Sequence, residues 1–239
     1  MDAAASTRSA PRALGLAAIA FAVAFNIPFA TLATTFDYPD ILRRPAGEIL
    51  TLFKAGGPSL VLTWYAFAVA ALLFVPLSLA LSIDARRLTA SPGLAVGAAV
   101  AGSLAGLAQA VGLVRWVFVV PSLAAAYADP AATDAARMAA ENTFNLINLY
   151  GGVAIGEHLG QLLTALFVLL LATVQRREGN RITALIGFVA AAAIAVGANE
   201  GLAIALGQSG DMFGLVTVAG FLGLSAWLVA TGIAVMRAR

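Results

Sequence analysis

The ionisable side chains that could do chemistry in this chain stand inside long apolar runs. Glu157 and His158 are adjacent in one run, Glu200 follows Asn199 in a later run, and Arg115 lies in an earlier one. A charged group in hydrocarbon is costly unless it meets a partner or water, so such residues often mark a ligand, ion or proton site. Two carboxylates, a guanidinium and an imidazole could bind an ion, exchange a proton or hold an anionic group.

The apolar runs that carry these residues are long enough to cross a bilayer, because a helix needs about 20 residues to span ~30 Å of hydrocarbon. A chain with 61% hydrophobic and 11% charged residues has the composition of a membrane protein. Continuous alanine-rich runs favour helices over alternating strands. The predicted fold is an all-α polytopic transmembrane helical bundle, a single domain over residues 1–239. Its six predicted spans cover about 13–35, 58–83, 92–120, 151–174, 182–206 and 212–236.

The basic residues predict the orientation, since Lys and Arg hold loops on the cytoplasmic side. Nine of the fourteen basic residues, including Arg8, Arg12, Arg237 and Arg239, would be cytoplasmic if both termini were inside. The acidic residues divide the other way, with most of them outside. We therefore predict a multi-pass protein of the bacterial inner cell membrane with the N-terminus and the C-terminus inside. The basic pairs suit an anionic leaflet and form no nucleic-acid stripe, so the bilayer is the predicted partner and protein partners stay open.

Two outer segments are longer than a linker requires. In residues 38–57, Pro45 precedes an apolar run, which predicts a short helix lying in the membrane interface. In the second segment, Asp129 and Pro130 are typical of a helix start, and the predicted helix ends at the glycine pair Gly151–Gly152. Both interfacial segments are expected to act either as collars or as caps over the outer face.

A count of 1.5 Å per residue from each predicted cytoplasmic boundary places the polar residues in one outer layer. Glu157 lies ~27 Å from its inner boundary, Glu200 ~28 Å and Gln109 ~26 Å. Arg115 lies at ~34 Å, with a side chain that can reach back inward. Because these charges need compensation, we predict that Arg115 pairs with Glu157, or with Glu200 as the alternative.

Small residues at four-residue spacing predict close helix packing. The rows are Gly152, Gly156 and Gly160; Ala98, Gly102 and Gly106; and Gly197 with Gly201. Glu157, Gln161 and Thr164 share a face beside the first row, whereas His158 points about 100° away and could equally be interfacial. The candidate pocket residues are Arg115, Glu157, His158, Glu200, Gln109, Gln161 and Asn199.

Enzyme and metal chemistry have little support in this sequence. One histidine and no cysteine cannot supply a usual zinc site or paired haem ligation, so no metal and no cofactor are predicted. Residues 207–210 resemble the GxSG motif of rhomboid-type proteases, but the only histidine precedes Ser209, which lies in a predicted loop. An enzyme is therefore not the expected function, although the sequence leaves it open.

Two function classes remain. The prediction that fits best is an outward-facing polar pocket for a small molecule or ion, with proton coupling through Glu157 and Glu200 as a further option. The alternative is a membrane-embedded regulatory or scaffold partner, in which the polar residues serve only helix packing. An open cleft that reaches Glu157 would favour the pocket, and tight packing around it would favour the scaffold.

Two segments carry a resemblance to a known family. They are RWVFVVP, which begins at Arg115, and GEHLGQLL, which contains Glu157 and His158. Together with the rest of the chain they resemble an uncharacterised family of bacterial six-pass integral membrane proteins, a domain of unknown function. The resemblance implies a membrane topology and no established activity, so no catalytic residue follows from it.

The predicted orientation can be tested with single cysteines, because the natural chain has none. In intact cells, cysteines at Ser91 and Asn180 should resist an impermeant thiol reagent, whereas cysteines at Thr133 and Ser209 should react. The basic residues around Asn180 anchor the orientation, so rapid labelling of that position from outside would contradict it.

Overall fold

The computed structural model describes residues 3–237, with side chains described from residue 11 onwards. All regular elements in this part of the chain are helical, which confirms the all-α prediction. Asp2 and Arg239, which count toward the predicted charge asymmetry, lie outside the described residues, as does the side chain of Arg8.

The helical elements run through the chain with short connections. They are α1 (Ala3–Thr35), a 3₁₀ turn (Asp40–Arg43), α2 (Ala46–Ser82), α3 (Ala85–Ala90), α4 (Pro92–Phe118), α5 (Val120–Ala128), α6 (Asp134–Ile147), a π-helix (Asn148–Leu159), α7 (Gly160–Arg177), α8 (Arg181–Gly197), α9 (Glu200–Ala205) and α10 (Asp211–Arg237).

Six stretches are long and apolar enough to cross a membrane, which confirms the predicted number. They are Pro11–Thr35, Ala46–Ser82, Pro92–Ala128, Asp134–Arg177, Arg181–Ala205 and Asp211–Arg237, here called spans 1 to 6. The ends at Ser82, Pro92, Arg177 and Arg181 face one side, which the basic residues predict to be cytoplasmic; that side is called inner below.

The six spans form a closed ring. Each span packs against its neighbours in sequence, and span 1 also packs against span 6. At this closure Gly15 lies against Gly232, and the Asn26 amide donates to the Ser225 hydroxyl at 2.8 Å. Phe74, Phe167 and Trp227 belong to the buried core that fills the inner half of the ring. The inner half is therefore packed solid.

Irregular backbone is confined to the outer half of the ring. Span 2 bends at Gly57, which has a φ of 59°, and span 3 is interrupted at Val119. Span 4 contains the π-helix, and span 5 breaks at Ala198 and Asn199. Because unsatisfied backbone is not tolerated in lipid, such breaks need protein or water around them.

The structure corrects the predicted boundaries of the second outer segment. Its helix begins at Asp134, where Thr133 accepts a hydrogen bond from the Ala136 amide at 3.2 Å; Asp129 instead holds a turn with Ala131. The prediction that Gly151–Gly152 ends this helix is wrong. Within a span the backbone must stay hydrogen bonded, and the π-helix carries the chain continuously through both glycines.

The helix predicted after Pro45 is present and starts at Ala46, with the bend at Gly57 separating it from the rest of span 2. Backbone bends at glycine are expected where φ is positive, because only glycine adopts that conformation without steric cost. The location of both outer helices in the membrane interface remains a prediction.

The glycine row of span 4 is a packing seam with span 3. A Cβ on Gly156 would lie 2.9 Å from the Cα of Gly112, and one on Gly160 would lie 2.9 Å from Cγ of Gln109. The pairing of Gly197 with Gly201 in one row is wrong, because the break in span 5 separates them. Gly197 faces span 6, whereas Gly201 faces span 4.

The seam generates a stability prediction. Gly156→Leu should strongly lower the melting temperature and yield of the purified protein, because its side chain must displace the backbone of span 3. Gly151→Leu is the matched control, since a Cβ there meets nothing within 4 Å. Equal melting temperatures for the two variants would contradict the seam.

Candidate functional site

A cavity of about 560 Å³ occupies the outer half of the ring. Every span contributes to its wall, as does the segment that joins spans 1 and 2. Seven aromatic side chains line it: Phe25, Phe29, Tyr38, Trp64, Phe67, Trp116 and Phe221. The solid core of the inner half closes it from below, and the wall of the cavity is largely apolar.

The segment of residues 36–45, here called the cap, crosses the outer opening of the ring. Its Ile41 and Leu42 are buried. Its Phe36 packs edge-on against Trp116 at 5.6 Å, and its Tyr38 packs against Trp64 at 5.3 Å. These contacts hold the short 3₁₀ turn against the ring, and the turn ends at Arg43.

Arg43 joins the two intramembrane glutamates. Its Nη2 donates to Oε2 of Glu157 at 3.0 Å and to Oε1 of Glu200 at 2.7 Å, and its Nε donates to the same Glu200 oxygen at 3.0 Å. The three side chains are partly buried, with 32%, 23% and 17% of Arg43, Glu157 and Glu200 exposed. One guanidinium from the cap therefore ties span 4 to span 5 above the cavity.

The electrostatics of the cap follow from these neighbours. Burial alone would lower the pKa of Arg43, but the carboxylates of Glu157 and Glu200 outweigh it and raise that pKa. Burial, with the charge of Glu157 as the second cause, raises the pKa of Tyr38. Arg43 is thus a permanent cation and Tyr38 a neutral phenol in the wall of the cavity.

The predicted pairing of Arg115 with an acid is wrong. Arg115 is buried; its Nη1 donates to the Gly112 carbonyl and its Nη2 to Oδ1 of Asn148 at 2.9 Å. Its guanidinium lies 5.1 Å from the centre of the Trp116 ring. Among the described residues the two glutamates pair with Arg43 instead. Arg43 of the cap occupies the position beside both glutamates, and the π-helix places Asn148 beside Arg115.

Five of the seven predicted pocket residues line the cavity: Gln109, Arg115, Glu157, Gln161 and Glu200. Gln109 donates to the Thr164 hydroxyl at 2.8 Å. The side chains of the other two predicted residues, His158 and Asn199, contact backbone carbonyls at the break in span 5. Nδ1 of His158 lies 2.7 Å from the Ala198 carbonyl, and the Asn199 amide donates to the carbonyls of Ala195 and Val196.

Sequence reasoning missed Arg43, Tyr38 and the aromatic wall. A signal for Arg43 was present, because Arg43 and Arg44 form a basic pair on the side where basic residues are scarce. The two arginines have different partners in the structure. Arg44 forms ion pairs with Asp37 and Glu48 within the outer segment, whereas Arg43 points inward and pairs with Glu157. A sequence pattern does not distinguish these two directions.

The described part of the chain contains no group of three His, Asp or Glu side chains placed to hold a metal ion. Three nitrogen donors of the wall residues are buried within the protein and are not exposed to the cavity. Nε of Arg115 and the indole nitrogens of Trp64 and Trp116 have no partner among the described residues. All three side chains are in the cavity wall.

Residues 13–232 match the family described as a domain of unknown function, DUF4386. The chain belongs to this family. The match covers most of the chain, so the family resemblance of the sequence is confirmed. No curated protein and no solved structure matches the chain. For this DUF4386 protein, any function must therefore be argued from its cavity and its charges.

The Arg43 bridge generates a second stability prediction for the DUF4386 protein. Arg43→Gln and Glu200→Gln should each destabilise the fold, and the double variant should lose less than the sum, with a coupling of about 1–3 kcal/mol. Arg43→Gln leaves two carboxylates uncompensated, whereas the double variant leaves only one. Unfolding in detergent measures all three losses.

The matched control is the cycle of Arg115→Gln with Glu200→Gln, which should be additive because these residues form no ion pair. Additivity in the Arg43 cycle, or strong coupling in the Arg115 cycle, would contradict the bridge.

Proposed function

We propose that this membrane protein binds a small molecule or ion in the cavity, from the outer side of a bacterial inner membrane. The observation that carries the proposal is that the cavity reaches both intramembrane glutamates and is walled by all six spans. A scaffold would be expected to pack tightly around Glu157. Instead, Glu157 borders a space large enough for a drug-sized ligand.

The backbone supports the same proposal. Gly152, Gly156 and Glu157 belong to the π-helix and line the cavity, and Glu200 lines it from just after the break in span 5. Irregular helices at membrane depth occur where they surround a cavity, and π-helical turns are frequent at functional sites. Two adjacent spans lose regular geometry beside the same space, which is typical of a functional cavity.

In this proposal the structure is the closed state, in which the cap covers the cavity. Arg43 holds Glu157 and Glu200 together under the cap, and a ligand gains access to these carboxylates when the cap moves outward. A carboxylate that Arg43 leaves needs the ligand, water or a proton, because an isolated charge in the ring is costly. Proton coupling through Glu157 or Glu200 is therefore part of the proposal.

The test is binding of labelled tetraphenylphosphonium, tetraphenylborate and a neutral tetraphenyl compound to the protein in lipid nanodiscs. At least one probe should bind saturably, and Val218→Trp should weaken it at least about tenfold by filling the cavity that Val218 lines. Val189→Trp is the control, since Val189 is 64% exposed and lies away from the cavity. Lower pH should weaken a bound cation, because protons compete for the glutamates.

Equal weakening by Val218→Trp and Val189→Trp would place the bound probe elsewhere. Saturable binding of none of the three probes, together with no co-purified small molecule in native mass spectrometry, would contradict the proposed function. Cation binding that does not change with pH would remove proton coupling and leave the pocket.

A further inference from the structure

We propose that the ligand of this cavity is an organic cation with an apolar body, and that Arg43 occupies the position of its charged group in the closed state. The inference rests on the proposed function and names the ligand class of the same site. It is carried by the charges of the cavity wall, the position of Arg43 and the aromatic surface below it.

The charged residues of the cavity wall are mostly acidic. Four carboxylates line it, from Asp40, Glu157, Glu200 and Asp211, against the guanidinium groups of Arg43 and Arg115. If the cap moves away, Arg43 and Asp40 leave together, and the excess of two negative charges persists because Glu157, Glu200 and Asp211 then face Arg115 alone. A cavity with low-dielectric walls and a net negative lining attracts cations and repels anions.

Arg43 shows how a cation fits between the two glutamates. Its guanidinium makes hydrogen bonds of 2.7–3.0 Å to both carboxylates, which are the distances of strong charge-assisted contacts. The residue belongs to a four-residue turn outside the spans, so its departure does not require a membrane helix to unpack. Arg43 is therefore an internal competitor for any cation that enters.

The surface below this position fits the apolar part of such a ligand. Phe25 and Phe29 of span 1 and Phe221 of span 6 line the cavity and are partly exposed, and aromatic faces attract cations that carry little hydration. Two further lining residues, Leu215 and Leu222, are 74% and 58% exposed on span 6. The cavity thus reaches the lipid-facing surface there, where amphipathic molecules concentrate.

An anionic ligand fits less well, although Arg115 is in the wall. Arg115 is already held by the Gly112 carbonyl and by Asn148, and it lies against Trp116. An anion that displaced Arg43 would face Glu157 and Glu200 without their counter-ion, and like charges in the ring repel strongly. The test below includes an anion of the same shape.

The experiment compares tetraphenylphosphonium with tetraphenylborate on the full chain in nanodiscs. Arg43→Gln should bind the cation at least about tenfold more tightly than the natural chain, because the internal competitor is gone. Glu200→Gln should bind the cation more weakly, because Arg43 then neutralises the remaining glutamate. Lys54→Gln is the matched control and should leave the cation affinity unchanged, since it removes one positive charge from an exposed residue of α2 that lies outside the cap and does not line the cavity.

Unchanged or weaker cation binding by Arg43→Gln, or tighter tetraphenylborate binding by it, would overturn the inference. If Arg43→Gln does not fold, Glu200→Gln decides alone, and an unchanged cation affinity overturns the inference. A third outcome is that tetraphenylborate or the neutral probe binds, that Val218→Trp weakens this binding, and that the cation does not bind. This outcome would leave the proposed function standing and refute the inference that the ligand is a cation. Saturable binding of none of the three probes, together with no co-purified small molecule in native mass spectrometry, would refute both proposals.

Discussion

The structure depends on one constraint: a charge inside a ring of membrane helices must be neutralised by the chain itself or by something that enters the ring. Glu157 and Glu200 stand on neighbouring spans, and neither span supplies a cation to them. The cation comes from the cap. Because Arg43 must reach both carboxylates, the cap has to lie across the opening, and its aromatic residues pack on Trp64 and Trp116 to keep it there.

The sequence predicted the layer of the site better than its contacts. Counting residues from the inner boundary placed Glu157 and Glu200 at one depth, and a single guanidinium does contact both. The same count led to the wrong prediction that Arg115 is the partner, because the depth of a residue does not give the direction of its side chain around the helix axis. In addition, a loop residue such as Arg43 has no predictable depth until the loop is seen to fold back over the ring.

Departures from α-helical geometry explain the remaining differences. A period of 3.6 residues predicts faces correctly for Gln161 and Thr164, whose contacts lie at or beyond the end of the π-helix. It cannot predict that Asn148 reaches Arg115, because wider turns shift every face between residues 148 and 159. The two predictions about glycines fail for the same reason. Gly151 and Gly152, predicted to end a helix, lie in a continuous π-helix. Gly197 and Gly201, predicted to form one row, lie on opposite sides of the break in span 5.

The two halves of the ring differ in what their packing can tolerate. In the inner half, Arg87 bridges to Glu178 at 2.7 Å and large aromatic residues fill the centre, so the spans hold one arrangement. In the outer half the glycine seam between spans 3 and 4 keeps those helices in register while the helices around the cavity are broken. If the cap moves as proposed, the solid packing of the inner half would preserve the fold. In the proposed closed state, the cap is held by the Arg43 bridge, by its aromatic contacts and by the ion pairs of Arg44, and the proposed cation would replace the Arg43 bridge.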